Sequence, residues 1–267
     1  MRELKAVFPK TNSAPPAVEE MEVETSPDPI MENISARIFP PSKMSPSVID
    51  ESRAVTIEAR TRGQRTNILW CLLHRERISS SNFGQVMAAG KSLNHLIADI
   101  INESSLNKYS NLPVQVKWGQ DHEDTAMTDY MKFKEATGTP VEVMETGLHL
   151  IPYATFLGAS CDRIVIDKSM PCDCQKGVLE IKSPTVLTKR FFFMSEVDDI
   201  LSIPSFYMSS DFDPALCKTH NYYAQVQEEM GVKGLPWCDF VVWTGAKKII
   251  LCVQRIYIDA TFVFDML

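Results

Sequence analysis

The stretch from Gly158 to Pro184 constrains this chain more than any other. Val178-Leu179-Glu180-Ile181-Lys182 has the composition of a strand. Side chains on a strand alternate between faces, so Glu180 and Lys182 point one way while Leu179 and Ile181 point toward a core. Ala159 to Ile166 predicts a second strand, and the polar stretch Asp167 to Gly177 returns the chain between them as a long hairpin loop. Such a hairpin brings Asp162 within reach of Glu180. Two carboxylates and a peptide carbonyl, here that of Ile181, suit Mg²⁺, which takes oxygen ligands and keeps several waters; Mn²⁺ is the expected substitute. Lys182, partly desolvated beside such a site, is expected to lose proton affinity and to position or deprotonate an attacking water. The pattern fits metal-assisted hydrolysis of a phosphodiester.

Three other segments surround this one. Trp118-Gly119-Gln120-Asp121-His122-Glu123 leads into Ala126 and Tyr130. On a helix Glu123, Ala126 and Tyr130 share one face, which sets a carboxylate among packing residues. His122 lies about 100° around that helix and is read as non-ligating. The second segment, Trp70 to Gly84, carries Arg75, Arg77 and the cluster Ser79-Ser80-Ser81 just ahead of Phe83, Val86 and Met87. This is a helix start: Ser79 or Ser80 caps it, and its free amides and dipole attract an anion. The third, His220 to Met230, predicts a helix with Tyr222, Val226 and Met230 in the core, ended at Gly231 to Gly234. Two strands follow, Trp237 to Trp243 and Ile249 to Ile256, joined at Thr244 to Lys247.

Taken in order, these blocks resemble the PD-(D/E)xK nuclease superfamily and, within it, the YqaJ-like viral recombinase or lambda-type exonuclease family, over roughly residues 66 to 258. The resemblance implies an α/β fold: a restriction-endonuclease-like core whose central mixed β-sheet is flanked by helices. It implies Glu123 as a third acid at the metal and Gln225 as an amide lining the site. It also implies Ser81 with Arg75 on the 5′-phosphate of a DNA strand, Arg77 being the alternative because the Arg-to-Ser spacing is one residue short. The activity implied is that of a Mg²⁺-dependent deoxyribonuclease, a 5′-to-3′ exonuclease in DNA recombination or repair, with a trimeric ring around duplex DNA as the implied assembly. An endonuclease of the same fold and a weakly catalytic DNA- or protein-binding module are the alternatives. Two departures stand next to Asp162: Cys161 where the family has Pro and Arg163 where it has Gly. Both bear on the turn of the backbone at the site. The connection Thr188 to Lys218, with Phe191-Phe192-Phe193 and Phe206-Tyr207-Met208, is longer than in the phage pattern and is expected to cover the sheet edge.

Residues 1–62, rich in Pro, Ser and Glu and without a sustained period, read as a disordered N-terminal leader ahead of a nuclease domain at 63–267. Neither a signal peptide nor a run of 18 apolar residues is present, so a soluble, intracellular protein is expected, and the chain could be one part of a longer one. The seven scattered cysteines argue for reduced thiols, and Cys172-Asp173-Cys174 lacks the partner pair a zinc site needs. A net charge of −7 opposes the field of a strong DNA binder. Binding then depends on a local basic groove drawn from Arg60, Arg62, Arg65, Arg75, Arg77, Lys182, Lys189 and Arg190.

Overall fold

The computed structural model describes residues 5–7, 48–74, 77–89, 96, 114–183, 206–208, 214–243, 245 and 250–266. Arg75, Lys189, Arg190 and most of the stretches Thr188 to Lys218 and Thr244 to Lys247 lie outside the described residues.

A six-stranded mixed sheet forms the centre, in the order β1 (Lys5–Val7), β11 (Ile250–Tyr257), β10 (Trp237–Trp243), β7 (Lys176–Lys182), β6 (Arg163–Asp167) and β3 (Val141–Met144). β6 and β7 are antiparallel, with Arg163 opposite Leu179, whereas β7 and β10 are parallel, with Glu180 beside Phe240. A parallel pair needs cover on both faces, and every residue of β10 is buried. Helix α4 (Val114–Ala136) supplies one cover, setting Ala126, Tyr130 and Phe133 against Leu179, Ile181 and Val241. Helix α5 (Asn221–Lys233) supplies the other, with Val226 and Met230 against Val178, Phe240 and Val242. The face of β7 that carries Glu180 and Lys182 is therefore roofed by α5, and Glu180 is only 3% exposed.

A smaller sheet, β2 (Ile78–Ser79), β5 (Ala154–Ala159) and β4 (His149–Ile151), packs beyond α5. Helix α3 (Ser80–Ala88) springs from β2 and crosses α5 so closely that a Cβ at Gly84 would stand 2.9 Å from the Asn221 Cα. Helix α2 (Ile68–His74) buries Trp70 and Cys71 against Leu148 and Leu150. A last helix, α6 (Ala260–Met266), follows β11 and sets Val263 against Gly231, which lies inside α5; the left-handed cap is Gly234 alone.

Two expectations need correction. The strand foreseen at Ala159 to Ile166 is two strands, β5 and β6, belonging to different sheets, with Asp162 in the break between them. The structureless leader foreseen at 1–62 holds β1, which pairs with the edge of β11, and α1 (Glu51–Arg60). Asp50 caps α1 through the Arg53 amide at 2.7 Å. The helix is fixed to the chain before β4 by hydrogen bonds: the Gly147 amide donates to Glu58 (2.9 Å) and the Leu148 amide to the Thr61 hydroxyl (2.8 Å). None of its own residues is buried, so no apolar period announces it.

Two buried electrostatic features set stability. Arg255 reaches Asp239 with two hydrogen bonds (2.8 and 2.9 Å) and Asp167 at 2.9 Å, while Tyr130 of α4 donates to Asp239 at 2.6 Å. Removing one partner of such a network strands a buried charge. Arg255→Met is expected to cost about 3–5 kcal/mol in urea unfolding, and an unchanged midpoint would refute this role. In α5, Glu228 is fully buried, with no hydrogen-bond partner for either carboxylate oxygen among the described residues. Burial pushes its carboxyl up to about 8 from an ordinary 4.5, against the pull of Lys233. Between those values the folded chain holds a proton that the unfolded chain releases, so stability falls as pH rises through the window. Glu228→Gln should raise the melting temperature above about pH 8 and leave it nearly unchanged near pH 5, flattening a slope worth about 1.4 kcal/mol per unit of pKa shift. Equal curves for the two proteins would contradict the assignment.

Candidate active site

The C-terminal end of β7 and the break between β5 and β6 open into a cleft of about 640 Å³ lined by Arg65, Ser81, Glu123, Asp162, Arg163, Glu180, Lys182 and Gln225. Asp162 is set by two bonds. Its own carboxylate accepts from the Ile181 amide at 2.7 Å, joining the break to β7. The preceding carbonyl, Cys161 O, accepts from Gln64 Nε2 at 2.7 Å, and Gln64 also reaches Thr146 O at 3.2 Å. Gln64 holds a left-handed backbone (φ 44°) after Gly63 (φ 82°), so this anchor comes from a tight turn.

On the roofed face of β7, Glu180 Oε1 accepts from Lys182 Nζ and from Gln225 Nε2, each at 2.6 Å. Gln225 Oε1 in turn accepts from Lys182 at 3.1 Å, and Gln225 Nε2 donates to Glu229 at 3.0 Å. The amide is thus fully engaged and fixes the positions of both Glu180 and Lys182. Glu180 Oε2 is buried and has no hydrogen-bond partner among the described residues.

Burial, then the charges of Glu180 and Glu123, push the Asp162 carboxyl well above the usual range, against Lys182 and the Ile181 amide. Burial likewise pushes up Glu123, with Arg163 and Arg65 opposing. For Glu229, burial and the charge of Glu180 act in the same direction. Lys182 departs from expectation. Burial pulls its pKa down, but the carboxylates of Glu180 and Asp162 and the bond to Glu180 outweigh burial, so its ammonium is held more tightly than usual.

The acids share the cleft without closing on a common point: among the described residues no three Asp, Glu, His or Cys side chains form a group that could hold a metal ion. Arg163 pairs with the helix acid instead: its guanidinium donates to Glu123 at 2.7 Å, to Asp162 O at 2.6 Å and to Asp124 at 2.9 Å. Asp162, Glu180 and the Ile181 carbonyl are nevertheless an all-oxygen donor set, and the orphaned Glu180 Oε2 is the kind of buried atom a hard cation satisfies. These residues fit a divalent ion.

The other predicted residues divide. Ser79 caps α3, its amide donating to Asn82 Oδ1 at 3.0 Å, and Ser81 faces the cleft with its hydroxyl 3.0 Å from that of Ser79. Arg77 is turned elsewhere, donating to Thr155 O at 2.8 Å and to Leu73 O, and it does not line the cleft. Arg75 lies outside the described residues. His122 stacks on Trp118 with ring centroids 3.8 Å apart. Arg65, read from sequence as one of several groove cations, is among the described residues the one of that arginine window that lines the cleft, whereas sequence reasoning missed Gln64 as the anchor of Cys161 and Glu229, whose signal was its place one turn after Gln225.

No match was found among curated proteins. The fold is similar to that of the alkaline exonuclease LHK-Exo from Laribacter hongkongensis in complex with dAMP, at 22% identity and a TM-score of 0.51, covering 74% of this chain and 85% of that one. The Shutoff and Exonuclease Protein from Kaposi's sarcoma-associated herpesvirus aligns at 14% identity with a TM-score of 0.47, over 84% of this chain and 72% of that one. Among the described residues no helix is long and apolar enough to cross a membrane. The family model of the YqaJ-like viral recombinase domain matches residues 69–246, well over half of the sequence, and the chain belongs to that family.

Proposed function

We propose that this chain is a Mg²⁺-dependent deoxyribonuclease that degrades linear DNA from a 5′ end, in DNA recombination or repair. The observation that carries the proposal is the joined set Asp162, Glu180, Ile181, Lys182 and Gln225, in which the Asp162 carboxylate is tied to the strand residue next to Glu180 and an ammonium and an amide are fixed on Glu180. Family membership and the nuclease-like fold support it. Asp162, Glu180 and the Ile181 carbonyl would hold Mg²⁺, or Mn²⁺ in its place, with Glu123 as the further acid. Bound there, the cation would polarise a phosphoryl oxygen and lower the pKa of the attacking water.

The chain's own groups have distinct tasks. Lys182, held by Glu180 Oε1 and the Gln225 side chain, would orient the attacking water and offset charge on the phosphate. Gln225 holds Lys182 and Glu180 in register. Ser81, the free amides at the start of α3 and Arg65 would take the 5′-phosphate, the guanidinium offering two parallel bonds. Steering by such local charge compensates a net charge of −7, and DNA binding should weaken steeply with salt.

A second reading, a DNA-binding module that does not cut, is favoured by the engagement of Glu123 with Arg163. One assay separates the readings. On end-labelled, 5′-phosphorylated linear duplex with Mg²⁺, the wild type should release nucleotides, whereas Asp162→Asn, Glu180→Gln and Lys182→Ala should each lose about 10²-fold or more in rate, and chelator should abolish cutting. Covalently closed circular DNA should stay intact. Linearised circles would make the chain an endonuclease, and binding without metal-dependent cleavage would establish the non-cutting module.

A further inference from the structure

Arg163 opens β6 directly after Asp162, and its side chain is 17% exposed. It makes three hydrogen bonds at once: to Glu123 at 2.7 Å, to the Asp162 carbonyl at 2.6 Å and to Asp124 at 2.9 Å. The first two partners are inside the cleft. The third, Asp124, is 84% exposed and stands at its rim. Another resident cation, Lys182, behaves differently: besides Gln225 it engages only Oε1 of Glu180, and Oε2 has no partner among the described residues. The strand acids therefore remain open to an incoming ion, while the helix acid is already paired.

Arg163 holds Glu123 Oε1, and a divalent ion on either oxygen of that carboxylate would stand close to the guanidinium, where like charges repel strongly because water is scarce. The guanidinium has somewhere to go. Asp124 already holds its Nη2 and can keep it at the rim when Nη1 lets go of Glu123. Resting on the reading of these acids as ion ligands, we propose that Arg163 is a built-in competitor of the divalent cation for Glu123. The resting site offers Asp162 and Glu180, and Glu123 joins only when Arg163 swings out to Asp124. Arg163 thereby sets the affinity of the site for its ion. It is a positioning residue, acting through Glu123.

The test is Mn²⁺ binding to the full chain, read by electron paramagnetic resonance without DNA, for wild type, Arg163→Met, Glu123→Gln and the double variant. Methionine keeps most of the stem and removes the charge. Arg163→Met should bind Mn²⁺ roughly fivefold more tightly than wild type, the factor expected of one partly exposed ion pair, and that gain should vanish in the Glu123→Gln background. A gain that survives Glu123→Gln would reduce Arg163 to a general charge effect and overturn the proposal. Unchanged or weaker binding by Arg163→Met, in a wild type that does bind Mn²⁺, would overturn it too and leave the nuclease assignment standing. If no variant binds Mn²⁺, the assignment of the acids as ion ligands falls, and the proposal with it. Should Arg163→Met not fold, Arg163→Gln decides by the same signs, since it also removes the charge while keeping a hydrogen-bond donor.

Discussion

The hydrogen bond from the Ile181 amide to the Asp162 carboxylate, 2.7 Å long, ties together everything that matters in this molecule. It forms where β6 begins, so a side chain continues the β6–β7 ladder that starts with Arg163 opposite Leu179. Because β5 and β6 belong to separate sheets, the chain must break there, and the break frees Asp162 to face the end of β7. One edge of that strand end carries Asp162, and the roofed face carries Glu180 and Lys182 beneath Gln225. Glu180 and Ile181 pair with Phe240 and Val241 of β10, Ile181 packs in the core under α4, and Gln225 of α5 covers Glu180.

Burial raises the proton affinity of Asp162, Glu123 and Glu229, and the chain answers with cations of its own. Lys182 sits on Glu180, Arg163 on Glu123, and Arg65 lines the same cleft. An overall excess of acidic charge is thus compatible with a locally balanced pocket. Each resident cation also defines a site that a stronger cation could claim. Glu229 adds a further carboxyl to this cluster through Gln225, which extends the charge network into the core of α5.

Much of the site was legible because short-range rules determine it. Alternation on β7 put Glu180 and Lys182 on one face, the hairpin between β6 and β7 brought Asp162 to Glu180, and the serine cluster marked the start of α3. Val226 and Met230 are fully buried, as helical spacing required. What sequence could not give depends on partners far along the chain. Helix α1 is held by hydrogen bonds to Gly147 and Leu148, which leave no apolar period. The roof over Glu180 exists because α5 crosses the sheet, so a residue read as surface-facing became buried and its lysine more basic. Arg163 was visible as a departure from the family pattern, but its three acceptors come from α4 and from its own backbone neighbour. Arg77, the alternative to Arg75 for the phosphate, is instead occupied with main-chain carbonyls.

The central claim is that Asp162 and Glu180 are two sides of one ion site. Anomalous diffraction from crystals soaked in Mn²⁺ tests it most directly. The account predicts a peak within about 2.0–2.3 Å of a carboxylate oxygen of each residue and of the Ile181 carbonyl, with ordered water completing the shell. A cleft without a peak in crystals that bind Mn²⁺ elsewhere, or a peak that touches neither Asp162 nor Glu180, would contradict it.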